Sequence, residues 1–509
     1  MKFNFKLRGK AVTKNYEGAK AFSFTPEMEL YTAVATTMLS DTTYESGDKR
    51  LNRIIELLPE VSPVFVAKLA VYARTKMNLR SVPVVLSTEL AKMHNGNNLV
   101  GRTLEKIIQR PDEIMEVLAY YQLTNERKGR KKLVKISKQV QKGLAASFNK
   151  FDEYQFAKYN RTAEVKLRDA LFLVHPKAKD EAQQSLFNKI ARNELATPFT
   201  WETELSAAGQ LKYGSVQDKK KAMKAVWEVL IDSGKMGYMA TLRNLRNILD
   251  AAVSAQHVQK VCDYLTNEKA VSNSKQLPFR FLAAYRELGM VSSEYTSYVL
   301  SALETALEKS VMNMQRFELD ERVVVACDVS GSMQKPVSPK SKVLLYDIGL
   351  LLGMILQSKC KNVVSGMFGD SWKIVPLPTK GILANVDAFY KREGEVGYST
   401  NGYLVLRDLC ERKYAVNKVM MFTDVQLWDS TTKAMLKSNT IAYQWAQYKK
   451  IAPQAKLYIF DLAGYGNAPV SIPQSDVYLI AGWSDKIFDV LEAMEDGAGA
   501  MEMIHAMAI

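Results

Sequence analysis

Three short segments carry oxygen donors in a pattern that suits a hard cation. Asp328-Val-Ser330-Gly-Ser332-Met333 places one carboxylate and two hydroxyls on alternating positions, Ser399-Thr400-Asn401-Gly402 adds a hydroxyl, and Thr423-Asp424 adds a second carboxylate. Neither histidine nor cysteine occurs in them. Mg2+ prefers such oxygens in octahedral geometry, with one or two carboxylates and several waters completing the shell. The chemistry on offer is metal-held binding: two Asp with hydroxyl ligands provide one cation and no evident general base. The four histidines, His94, His175, His257 and His505, have no metal-ligand spacing. No Ser-His-Asp or Cys-His constellation can be argued from their order, and the phosphate-cradling G-x-x-x-x-G-K-[ST] is absent. The sequence therefore predicts no catalysis.

A second chemistry lies in the charge. The chain of 509 residues carries 69 Lys+Arg against 54 Asp+Glu, a formal +15. Residues 1–320 hold +14 of it, and 321–509 are nearly neutral. A basic surface concentrated in one part of a chain attracts polyanions, nucleic acid most often. Candidate RNA-binding residues form three groups. The first is Arg127-Lys128-Gly129-Arg130-Lys131-Lys132, extended by Lys135, Lys138 and Lys142. The second mixes cations with a ring and an imidazole: Lys158, Tyr159, Arg161, Lys166, Arg168, His175, Lys177 and Lys179. Phosphates need charge, and unpaired bases need flat faces and hydrogen-bonding edges. The third, Arg243 and Arg246, sits three apart on one helical face beside Asn244 and Asn247 and could hold a single strand. The competing readings are a solvated basic face, a half-buried histidine capping a helix before Pro176, and a polar ladder between helices. Lys219, Lys220, Lys221 and Lys224 are expected to add only nonspecific attraction.

The elements that must position these groups change character near residue 320. From Glu27 to Gln315, amphipathic segments with apolar residues at i, i+3, i+4 and i+7 follow one another, among them Asn52–Leu58, Pro63–Met77, Pro83–Met93, Asp112–Tyr121 and Lys220–Ser233. Antiparallel helix pairs in series would make a solenoid, an irregular array or a closed ring, and no fixed period decides among them. After residue 320 strand, loop and helix alternate. Strands are predicted at Arg322–Cys327, Asn362–Phe368, Trp372–Pro376, Lys418–Thr423, Lys456–Asp461 and Val477–Ala481. Helices are predicted at Lys342–Gln357, Ile382–Arg392, Tyr403–Arg412, Thr440–Lys449 and Ser484–Glu495. This is the grammar of a doubly wound α/β domain, in which ligands sit at the carboxyl ends of the strands. The three oxygen-bearing segments fall at or beside such ends.

DVSGSM, STNG and FTD, in this order, resemble the metal-ion-dependent adhesion site of von Willebrand factor A domains. That resemblance implies that Asp328, Ser330, Ser332 and Thr400 surround a divalent cation, most simply Mg2+, and that Asp424 contacts it directly or through water. An open position would accept a partner's carboxylate.

The N-terminal part resembles the TROVE domain of Ro ribonucleoproteins. The matching stretches are Asn15-Tyr-Glu-Gly18 with Ala21-Phe22, Lys68-Leu-Ala-Val-Tyr-Ala-Arg74, Leu79-Arg80 with Pro83, and Arg110-Pro-Asp-Glu113 with Tyr120-Tyr121. Further on come Arg168-Asp169 with His175-Pro-Lys177, Trp201-Glu202, Leu242-Arg-Asn-Leu-Arg-Asn247, and Pro278 with Ala284-Tyr285. The family implies a TROVE domain over 1–320, an α-helical ring of HEAT-like repeats, and a von Willebrand factor A-like domain over 321–509 that closes it as a monomeric ring. It also implies binding of Y-like RNA outside the ring, with His175 matching the family's histidine for that role. The single-stranded 3′ ends of misfolded non-coding RNA would enter the hole, and an exoribonuclease or RNA-repair enzyme would be a partner in RNA quality control. The reading from a different class is a metal-dependent protein-interaction adaptor without specific RNA binding.

The longest apolar stretch, Val343–Leu356, contains Asp347 and is shorter than the roughly 20 residues that span a bilayer. MKFNFKLRGK lacks the continuous apolar run of a secretion signal. With four scattered cysteines and no C-x-x-C, a cytoplasmic protein without a disulfide framework is expected.

Overall fold

The computed structural model describes residues 12–14, 20–23, 25–35, 47–124, 136–160, 163–276, 278–311, 321–336, 343–425, 438–463, 467–468, 476–481 and 500–509. The predicted helix Ser484–Glu495, the stretch Asn15–Gly18, Arg161, and the basic cluster with Arg130, Lys131 and Lys132 lie outside them.

Two compact units share the chain. The first takes in residues 1–57, 265–292 and 296–500, the second 58–264, 293–295 and 501–509. The unit that carries the main sheet thus draws in helices from before residue 320.

The described residues of the second unit form helices and the loops that join them, with no strand. Helices Pro63–Thr75, Ser81–Met93, Leu99–Ile107, Pro111–Thr124, Lys138–Phe148, Glu153–Tyr159 and Leu167–Val174 open it, and Val216–Asp232, Tyr238–Asp250 and Ala255–Thr266 lie further along. Starts are set locally. Ser62 accepts from the Phe65 N–H at 3.1 Å with Pro63 in the first turn, and Asp152 accepts from the Gln155 N–H at 2.7 Å. Such caps satisfy donors that the helix itself leaves open.

Several motif residues have a structural duty. Glu113, buried, accepts from Arg74 Nη2 at 2.7 Å and from the N–H groups of Gln109 and Arg110 at 2.8 and 3.1 Å. Arg74 Nε also donates to the Ile107 carbonyl at 3.0 Å. Arg110 grips Asp112 with two bonds of 3.0 and 2.7 Å. These groups lock the turn between helices Leu99–Ile107 and Pro111–Thr124 onto helix Pro63–Thr75.

In the first unit a small sheet joins β1 Val12–Lys14 and β2 Lys20–Ser23 to β8 Asn467–Ala468. The main sheet has six strands: β3 Arg322–Asp328, β4 Asn362–Phe368, β5 Trp372–Ile374, β6 Lys418–Thr423, β7 Lys456–Asp461 and β9 Val477–Ala481. Their order is β5-β4-β3-β6-β7-β9, and all neighbours run parallel except β4 and β5. β5 stops two residues before Pro376, where the sequence reading ended it. Helix Leu345–Lys359 packs against β3, β4 and β6. It comes so close that a Cβ on Gly353 would meet Cys327 Sγ at 2.9 Å, inside any normal van der Waals separation. The opposite face carries a core of Val324, Phe368, Leu406, Met421, Trp445 and Ile459.

Helices Pro278–Leu288 and Thr296–Ser310 pack on Leu345–Lys359 and Ile382–Tyr390. Arg286 binds both oxygens of the fully buried Asp347 at 2.6 and 2.7 Å, and its guanidinium lies 4.9 Å from the Tyr390 ring. Glu304 accepts from the Leu383 and Ala384 N–H groups at the start of helix Ile382–Tyr390. Among the described residues no helix is long and apolar enough to cross a membrane, and all four cysteines are free.

Candidate functional site

The order of the parallel strands reverses between β3 and β6, and the crevice outside their carboxyl ends is where such sheets bind ligands. Asp328 ends β3. Thr423 ends β6 and donates from Oγ1 to Asp328 Oδ2 at 2.6 Å, while Ser330 N–H donates to Oδ1 at 2.9 Å. Ser330 and Ser332 hydroxyls lie 3.2 Å apart. The loop with Thr400 is tied to this turn by the Gly331 N–H, which donates to the Tyr398 carbonyl at 3.1 Å. Gly397 lets the same loop run against the turn between β4 and β5: its φ is +73°, and a Cβ there would fall 2.0 Å from Asp370 Oδ2. Val425, directly after Asp424, sits at φ +62°, a costly conformation for a β-branched residue and of the kind that collects at functional sites.

Asp328, Ser330, Ser332, Thr400 and Asp424 are all buried. Burial first, and then the charge of Asp424, push the Asp328 carboxyl well above the usual carboxylate range, against the bonds from Thr423 and Ser330. Two carboxylates held so close repel each other, and a cation between them would remove that cost. The described residues hold no cluster of three His, Cys, Asp or Glu side chains suited to a metal. Any cation here rests on two carboxylates and hydroxyls, the donor set a hard ion prefers. Asp461, absent from the sequence reading of the site, is also buried at the end of β7, where its Oδ1 accepts from the Ala463 N–H at 3.1 Å and closes its own turn.

The second candidate surface lies on helices Glu153–Tyr159 and Leu167–Val174. Lys158 Nζ stands 5.7 Å from the Tyr154 ring and 5.9 Å from the Tyr159 ring. Arg110, pinned by Asp112, lies 4.2 Å over Tyr159, and Arg168 lies 5.7 Å over Phe172. Lys166, Arg168, Phe172, His175 and Lys177 are exposed. His175 caps its helix in the left-handed conformation, as a capping histidine would, but it is exposed where the competing reading had it half-buried. Sequence reasoning missed Arg110, Tyr154 and Phe172. The signal was present: Tyr154/Lys158 and Arg168/Phe172 are cation–aromatic pairs at i,i+4, neighbours on a helix face.

Arg243 and Arg246 are exposed on helix Tyr238–Asp250, as their spacing predicted, and Arg246 Nε lies 3.9 Å from Asp250. Their asparagine neighbours serve the helix. Asn244 is buried and donates to the Ala240 carbonyl at 2.9 Å, and Asn247 donates to Asn244 Oδ1 at 2.9 Å. The structure also assembles a row that residue order concealed: Ser254 Oγ is 2.7 Å from His257 Nδ1, and His257 Nε2 is 3.3 Å from Asp232 Oδ2. It is a tie between helices Val216–Asp232 and Ala255–Thr266, because Asp232 is shared with Lys260 at 2.7 Å and Glu228 flanks Nδ1 at 3.6 Å. The bonds from Lys260 and then His257 hold the Asp232 carboxyl below its ordinary range.

The TROVE domain matches residues 26–220 and 191–327, more than half of the chain. This chain belongs to the TROVE-domain family. Within the TROVE match fall the cation–aromatic surface, the ion cluster of Glu113 and the row of Arg243 and Arg246. Telomerase protein component 1 of Rattus norvegicus is 26% identical over 353 residues, covering 53% of this chain, and that of Mus musculus matches to the same extent. The chain spans only 13% of the length of these relatives. Among solved structures, the Ro (RSR) protein of Deinococcus radiodurans has the same fold, with a TM-score of 0.59 at 15% identity over 93% of this chain and 99% of that one.

Proposed function

We propose that this TROVE protein is a non-catalytic RNA-binding protein of the Ro type that works in the cytoplasm. The observation that carries the reading is the exposed set of Arg168, Phe172, His175 and Lys177 beside Lys158, with Tyr154, Tyr159 and Arg110 supplying ring faces and a stacked cation. Charge for phosphates and flat faces for bases occur there together. A Y-like stem-loop would dock on this surface. Single-stranded 3′ ends of misfolded non-coding RNA would pass Arg243 and Arg246 in the hole of a helical ring. Such a protein scaffolds RNA quality control with an exoribonuclease or RNA-repair enzyme.

Two RNA classes should separate on mutation. Replacing His175 and Lys166 is expected to weaken a stem-loop by about 2–3 kcal/mol, the scale of removed hydrogen bonds to charged groups, and to affect a short unstructured oligonucleotide much less. Replacing Arg243 and Arg246 reverses the preference. Titrations of both variants with both RNAs decide the matter, and equal losses throughout would mean one undivided electrostatic surface.

Of the adaptor reading, the metal-held protein contact is supported by the Asp328 site and can coexist with RNA binding. Here Asp328, Ser330, Ser332, Thr400 and Asp424 would hold Mg2+, which supplies an open coordination position for a partner's carboxylate. At a Mg2+ concentration a hundred times its Kd, thermal unfolding is expected to report about 2.7 kcal/mol of added stability. Asp328→Ala should abolish that increment and leave RNA binding near its parental level. Mg2+-dependent RNA hydrolysis that vanishes in Asp328→Ala would make the protein an enzyme instead.

A further inference from the structure

The last ten residues pack within the helical unit, and what holds them is unusual. Helix Ala500–His505 buries Ile504 completely and sets the His505 ring 5.3 Å from Phe65. Three cations then donate to main-chain oxygens. Lys68 reaches the His505 carbonyl, Lys106 Nζ reaches that of Ala508 at 2.9 Å, and Arg102 Nη1 reaches the main-chain oxygen of Ile509 at 3.3 Å. Beside the docked segment opens a cavity of about 610 Å3, walled by Arg102, Lys106, Lys150, Gln109 and Ile509 among others, with Glu105 as its single acidic side chain.

The neutral peptide carbonyls of His505 and Ala508 are weaker partners for such groups than an anion would be. An anionic phosphate oxygen adds ion–ion attraction that a neutral carbonyl lacks, and a polyanion that displaces the segment also releases counterions. Arg102 and Lys106 are i,i+4 neighbours on one helix face, placed to meet a run of phosphates and not a single ion. We propose that Lys68, Arg102 and Lys106 form a further phosphate-backbone site, and that the segment 500–509 is a strap that covers it by occupying these three donors, while Lys150 at the cavity wall is held by the Glu105 and Ile108 carbonyls. On the reading given above, on which this rests, the polyanion is RNA. The strap lowers the affinity of that face, because its bonds and the packing of Ile504 must be given up before an RNA can take the donors.

The test compares the full chain, a chain ending at residue 499, and full-length Ile504→Glu, which undocks the strap without removing it. Binding of a short oligouridylate is followed across salt concentrations. Both variants should bind several-fold tighter at low salt, with a log–log salt slope steeper by about 2, the value for three phosphates on a single strand. Lys68→Ala, Arg102→Ala and Lys106→Ala together, in the shortened chain, should return the slope to that of the parent. A labelled peptide of residues 500–509 should bind the shortened chain and be displaced by inorganic tripolyphosphate. Unchanged slopes in both variants, with parental circular dichroism, would overturn the proposal, as would a bound peptide that tripolyphosphate cannot displace. If the parent binds no RNA while tripolyphosphate still competes with the peptide, the RNA reading fails and the phosphate face stands.

Discussion

Arg286→Met is expected to lower the stability of the sheet-bearing unit by about 3–5 kcal/mol, the usual cost of removing one partner from a buried ion pair. Asp347 is fully buried in helix Leu345–Lys359, and its oxygens accept both guanidinium bonds and the Leu344 N–H at 2.8 Å. Without Arg286 the carboxylate keeps one backbone donor and no counter-charge. Asp347→Leu in the same background should recover most of the stability, since a buried pair replaced by packed apolar side chains is often neutral or better. Urea midpoints at constant slope give the comparison. A single variant within about 1 kcal/mol of the parent would mean that the pair contributes little and that apolar packing alone holds helix Pro278–Leu288 in place.

RNA affinity is expected to fall on the order of a thousandfold between 50 and 200 mM salt if about six phosphates are neutralised, a change of about 4 kcal/mol. The cause is the distribution of charge: nearly the whole excess lies in residues 1–320, where Lys158 and Arg168 flank rings on which bases would stack and Lys177 is exposed past the end of the same helix pair. Reversing these three to Glu should flatten the log–log slope by about 0.9 for every duplex phosphate that is no longer neutralised. Fluorescence anisotropy with a stem-loop at several salt concentrations measures both quantities. A slope near zero would leave stacking and hydrogen bonding as the only contributors and refute the electrostatic account.

How much of this was legible depends on how local each cause is. RVVVAC could be read as a buried parallel strand because a strand covered on both faces needs apolar residues at every position. The Asp328 and Thr423-Asp424 ends followed from it, because ligands of such sheets gather outside the carboxyl ends of the strands. Asp347 announced only half of its story. A carboxylate in an apolar helix needs a partner, yet nothing in the order of residues says that the partner is Arg286, 61 positions earlier. The two residues Asn467–Ala468 pair with Phe22 and Ser23 through the backbone of a short ladder, which carries no residue signature. Asn244 looked like a base reader because its helical face was inferred from the arginines beside it. Its side chain instead turns back to its own helix.

That small sheet also dictates an order of events during synthesis. Phe22 pairs with Val12 on one side at once but finds its partner on the other only when Ala468 has left the ribosome, so that edge must wait while the intervening chain is made. Translation at ~5–20 residues per second makes that wait tens of seconds. The unit formed by residues 58–264 depends on almost nothing made later and can fold during the pause. The sheet-bearing unit is completed only late in synthesis, and until then β2 offers an open edge to any other nascent chain. Co-translational chaperones that shield strand edges should therefore matter more to the N-terminal 57 residues than to the helices that follow them.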